Sequence, residues 1–71
     1  MQSHVAANVR AEIARRGKTQ GDIAAVLGFT RQSLSQRLLG RVEFRASELQ
    51  AIADHLGVSI AELVEQPKAS A

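Results

Sequence analysis

Residues 19–40 read TQGDIAAVLGFTRQSLSQRLLG, two short amphipathic stretches joined at Gly28-Phe29-Thr30. Thr19 is placed to cap a helix over about Gln20 to Leu27, in which Ile23, Ala24 and Leu27 fall on one apolar stripe. Gly28 ends that helix, because glycine takes the left-handed conformation of a helix C-terminus without steric cost. Phe29 is positioned to plug the corner, and Thr30 to cap a second helix over about Arg31 to Leu38. Leu34 and Leu38, four residues apart, face the same core as the first stretch. The opposite side of the second helix carries Arg31, Gln32, Ser35 and Gln36, side chains able to reach phosphates or base edges. Gly40 closes the segment.

Working outward, helical spacing continues on both sides, and no strand-like alternation interrupts it. A first helix is expected over about Ser3 to Arg16, with Val5, Val9 and Ile13 at spacing four and Gly17 beyond its end. Arg15 and Arg16 in its last turn suit either the negative end of the helix dipole or a neighbouring DNA backbone. After the connection from Gly40 to Arg45, which Phe44 is expected to anchor, a fourth helix carries Leu49, Ile52, Ala53 and Leu56 before Gly57. Ser47 with Gln50 three residues on suggests its capping box, and Ser59 with Glu62 suggests the same for a fifth helix bearing Ile60, Leu63 and Val64. The expectation is a single all-α domain of five helices over residues 1–66, with a frayed tail at 67–71 that begins at Pro67.

The chain has 71 residues, two Phe, no Trp or Tyr and no Cys. At this length one modest core is affordable, built from aliphatic residues packed closely. Without cysteine there is no disulfide scaffold, thiol nucleophile or cysteine metal site. His4 and His55 are isolated, with no H-x-x-x-H pair and no phosphate-binding glycine loop, so no enzyme, metal or cofactor is expected. His55 reads as a dipole-stabilising or partly buried residue near the end of the fourth helix. The longest apolar run, Ile23 to Leu27, is too short for a membrane span or a secretory core, so a soluble intracellular, cytoplasmic protein is expected.

Net charge is only +2, yet its distribution is uneven. From Arg10 to Arg45 eight bases (Arg10, Arg15, Arg16, Lys18, Arg31, Arg37, Arg41, Arg45) stand against Glu12, Asp22 and Glu43, while after Arg45 Lys68 stands alone against Glu48, Asp54, Glu62 and Glu65. The positive potential surrounds the hinged segment, which is the side a polyanion would approach.

Thr19-Gln20, Ile23-Ala24, Leu27-Gly28-Phe29-Thr30, Leu34-Ser35 and Gly40 resemble the helix-turn-helix of the lambda-repressor-like, Cro/CI-type (Xre) family. Glu48-Leu49, Ile52-Ala53, Leu56-Gly57-Val58 and Glu62-Leu63 are similar to the fourth and fifth helices of its small members, so the likeness spans about Val5 to Val64. The resemblance implies a compact five-helix bundle, sequence-specific binding to double-stranded DNA and transcriptional regulation, as a phage-type repressor, a Cro-like protein or an antitoxin. A protein-interaction module that keeps the fold without the DNA contacts is the alternative.

On this reading the third helix enters the major groove, with Arg31, Gln32, Ser35 and Gln36 at the bases. The backbone partners are then Lys18, Thr19, Gln20, Thr30, Ser33, Arg37, Arg41 and Arg45, with Gln20 resembling the family's backbone-contacting glutamine at a helix N-terminus. The chain departs from the family at Arg37, where many members are apolar, and at Leu38, where many are acidic. Arg37 is expected on the flank, bound to phosphate or paired with Glu43, and Leu39 toward DNA or solvent. A domain this small covers few base pairs, so a homodimer on a palindromic operator is expected, with Leu39, Ile60 and Val64 as candidate contacts. No membrane partner and no small-molecule substrate are expected.

Overall fold

A computed structural model of the chain describes residues 4–66. Five helices follow one another: α1 (His4–Arg15), α2 (Gln20–Leu27), α3 (Arg31–Leu38), α4 (Ala46–Leu56) and α5 (Ile60–Val64). The all-α, five-helix expectation therefore holds. The limits of α2 and α3 agree residue for residue with the sequence reading. Ser3, expected to start the first helix, and the expected tail from Pro67 lie outside the described residues.

Helix α1 packs against α3 and α5, α2 against α3 and α4, and α4 against α5. The core between them is aliphatic: Val9 and Ile13 from α1, Ile23 and Ala24 from α2, Leu34 and Leu38 from α3, Leu49, Ile52, Ala53 and Leu56 from α4, and Leu63 from α5. Phe29 and Phe44, in the two connections flanking α3, are half-buried and pack against this core, as their positions suggested. None of the helices described is long and apolar enough to cross a membrane.

Long-range bonds hold the short last helix. Asn8 Nδ2 donates to the Leu63 carbonyl at 3.1 Å and to the Glu65 carbonyl at 2.7 Å, and His4 Nε2 lies 2.9 Å from the Val64 carbonyl. The start of α1 thus engages carbonyls that a five-residue helix cannot satisfy internally. Arg10 does the same for α3, its Nη1 donating to the Leu38 carbonyl.

The expected cap of the fourth helix is corrected. The helix begins at Ala46, and the Glu48 carboxylate accepts from the N-cap amide of Arg45 at 2.9 Å, while Gln50 donates instead to Asp54 within the helix. Ser47 and Gln50 had the right types at the right spacing, two residues too late. At α5 the Ser59–Glu62 pairing stands, Glu62 Oε2 accepting from the Ser59 amide at 3.1 Å. Glu12, in contrast, is buried, a placement its sequence position did not suggest. Arg15 in the last turn and Arg16 just beyond it answer the carboxylate: Arg15 donates to Oε2, and Arg16 Nε lies 3.4 Å from Oε1.

The hinge rests on Gly28, whose φ of 70° puts it in the left-handed region while its amide faces the Ala24 and Ala25 carbonyls. A side chain at that φ is strained, so Gly28→Ala is expected to cost about 1–2 kcal/mol of unfolding free energy. Urea denaturation checks this, and a loss below about 0.3 kcal/mol would contradict it.

Candidate nucleic-acid interface

Two local caps aim the hinged pair. At the start of α2 the Thr19 hydroxyl accepts from the Asp22 amide at 3.1 Å, and Asp22 Oδ2 accepts from the Thr19 amide at 2.9 Å, a reciprocal box. The Thr19 amide, then the Thr19 hydroxyl, hold the Asp22 carboxyl below its ordinary range, with smaller help from the charges of Lys18 and His55. The one acidic side chain at this end of α2 is therefore committed to the cap. At α3 the Thr30 hydroxyl accepts from the Ser33 amide at 3.0 Å. Two turns of α3 emerge from that cap with Leu34 and Leu38 pointing inward.

The face away from those leucines carries the expected base readers. Arg31 and Gln32 are exposed, and Ser35 and Gln36 are half-buried beside them. Lys18, Thr19, Gln20, Thr30, Arg41 and Arg45 are exposed around this face, and Ser33 is half-buried. The backbone carbonyl of Gln36 accepts from the amides of Arg41 at 3.0 Å and Val42 at 3.3 Å, which folds the following loop against the last turn of α3. Lys18 and Gln20 also edge an open cleft of about 230 Å³ whose remaining walls are Arg10, Ile13, Ala14 and Leu38. That cleft joins the end of α1 to the start of α2 and the end of α3.

Arg37 is placed otherwise than expected. Its Nε lies 3.4 Å from Glu48 Oε1, its Nη1 donates to the Ser33 carbonyl at 3.1 Å and hydroxyl at 2.8 Å, and its guanidinium sits 4.3 Å from the centre of the Phe29 ring. With 17% of the side chain exposed, it braces the hinge against α4 instead of reaching outward. Its partner is Glu48, not Glu43: the Glu48 carboxylate in the first turn of α4 reaches its guanidinium, while Glu43 stays exposed in the connection.

Arg31 also departs from a simple projection into solvent. Its guanidinium folds back onto the first turn of α2 and lies over Gly21. Among the described residues Arg31 makes no ion pair or hydrogen bond. Of the expected dimer contacts, Leu39 is 50% and Val64 40% exposed, whereas Ile60 is half-buried against the core. Val42, which sequence reading passed over, is exposed three residues after Leu39 in the chain. His55 is exposed at the end of α4, so the partly buried alternative is set aside.

Comparison with known proteins gives a match to the family described as Helix-turn-helix over residues 9–63. No curated protein and no solved structure matches the chain. The matched span runs from Val9 in α1 to Leu63 in α5 and takes in both capped helices, the left-handed Gly28 turn and the whole aliphatic core, and so the chain belongs to the Cro/CI-type (Xre) helix-turn-helix family of DNA-binding domains.

Proposed function

We propose that the protein is a sequence-specific transcriptional regulator, of the repressor, Cro-like or antitoxin kind, that places α3 in the major groove of double-stranded DNA in the cytoplasm. The observation that carries this reading is the two-sided character of α3. One side is sealed by Leu34 and Leu38, and the other presents Gln32, Ser35 and Gln36 between exposed bases. A groove about 12 Å wide admits one such helix. The amides of Gln32 and Gln36 can form bidentate pairs with adenine, each discriminating by about 1–3 kcal/mol.

Gln20, Thr19, Thr30 and Ser33 supply neutral donors for phosphates, and Lys18, Arg41 and Arg45 supply charge. Arg37 has no place in this set, since its donors are turned toward Ser33 and Glu48. One protomer reads only a few base pairs, so the active form is a homodimer with half-sites about 34 Å apart. We assign that contact to the exposed apolar side chains of Leu39 and Val42.

Selection from a random duplex pool, followed by gel-shift titration, tests the reading. Gln32→Ala is expected to relax preference at one or two positions, and Gln20→Ala to weaken all duplexes alike. With three cationic phosphate partners per protomer, log K is expected to fall with log salt at a slope of about −3 or steeper. A flat salt response, or binding no stronger than to random duplex while a protein partner co-purifies, would favour the interaction module instead.

A further inference from the structure

Gly21 lies inside the first turn of α2 and is not among the residues with positive φ. Its backbone conformation is open to any residue, and glycine weakens a helix wherever it stands without such a need. What its missing side chain provides is room. A Cβ on Gly21 would lie 3.3 Å from Arg31 Nη2, 3.6 Å from Arg31 Nε and 3.6 Å from the Thr19 hydroxyl. The guanidinium therefore rests on bare backbone, next in sequence to Gln20 and, among the described residues, with no carboxylate paired to it.

We propose that Gly21 is a seat that holds the Arg31 guanidinium against the first turn of α2, so that Arg31 contacts a backbone phosphate beside Gln20 and leaves base reading to Gln32 and Gln36. The inference rests on the DNA-binding reading above. It makes Gly21 a positioning residue for specificity, because one guanidinium cannot lie over α2 and fork onto a guanine edge at the same time. Interface backbones commonly move little on binding, so the bare first turn of α2 that seats the guanidinium is still there beside the phosphate. A flexible side chain can yield a few tenths of an ångström to an alanine methyl, whereas a leucine occupies the seat.

The test uses the full chain with Arg31→Ala, Gly21→Ala, Gly21→Leu and the Gly21→Leu/Arg31→Ala double variant, each checked by circular dichroism. Alanine is the better helix former, so Gly21→Ala is expected to melt at or above the wild-type temperature. Arg31→Ala is expected to weaken every duplex alike and to lower the salt slope by about 0.9 per bound protomer, so that its deficit shrinks roughly threefold per protomer between 50 and 200 mM salt. No base position loses preference. Gly21→Leu is expected to lower the slope equally and to create a guanine preference at one half-site position, which the double variant abolishes.

Loss of preference at a single position in Arg31→Ala with an unchanged slope would overturn the proposal. So would a Gly21→Leu protein indistinguishable from wild type in slope and preference. Either result leaves DNA binding by α3 standing. A wild-type chain that binds no duplex above background overturns both.

Discussion

Leu34→Ala is expected to leave most of the chain unfolded at ambient temperature. Leu34 is fully buried on α3, which packs against α1 and α2, and it lies in the same cluster as Ile23, Leu38 and Ile52. Truncating a leucine in such a site removes its transfer free energy and leaves a cavity, at a cost of about 3–5 kcal/mol. A domain of this length commands roughly 3–5 kcal/mol in all, so the two are of equal size. Leu34→Met, which conserves volume, is expected to cost less than about 1.5 kcal/mol and to keep the helical spectrum. Thermal and urea melts followed by circular dichroism separate these cases. At about 4–8 °C per kcal/mol for a domain this small, a drop of only a few degrees in Leu34→Ala would contradict the packing described here.

Arg37→Ala is expected to cost about 2 kcal/mol of stability while leaving base preference and salt slope unchanged. Both partners of the Arg37–Glu48 contact are largely shielded, their side chains 17% and 14% exposed. Removing the arginine leaves Glu48 short of a partner in a partly desolvated site, though it keeps the Arg45 amide. Stranding a fully buried charge costs about 3–5 kcal/mol, and the residual exposure here reduces that. Loss of the contact with the Phe29 ring adds about 0.5–1 kcal/mol. A double-mutant cycle with Glu48→Gln is expected to give a coupling of about 1 kcal/mol. Unchanged stability together with a salt slope lowered by about 0.9 would instead restore Arg37 as a phosphate contact.

These two residues illustrate what could be read in advance. Leu34 was legible because helical spacing puts it on one stripe with Leu38, and the apolar stripe of α2 demands a facing partner. Arg37 was legible only as a residue on the flank. Its partner depends on the path of residues 39–45, which brings the Glu48 carboxylate within reach of Arg37 and leaves Glu43 exposed. Glu48 in turn explains why the fourth helix starts at Ala46. A carboxylate that serves both the Arg45 amide and Arg37 outcompetes a Ser47 cap with no tertiary partner.

The same division runs through the candidate interface. Gln32, Ser35 and Gln36 follow from the register of one helix. The resting place of Arg31 depends on a glycine ten residues earlier, across the hinge. Nothing in its own neighbourhood announces that contact, although a glycine in a helix interior with no turn to make is a signal in itself.

By itself, the sequence determined the two capped helices and the left-handed turn of residues 19–40, together with the all-α class, because those features rest on bonds and side-chain periodicities within a turn or two of chain. Only the tertiary structure decided which arginines face outward and which are consumed. Arg10 is taken by the end of α3 and Arg37 by Glu48 and Phe29, whereas Arg31 stays exposed, laid over Gly21. Each of those choices is made between helices, where loop paths and packing set distances that no local pattern encodes.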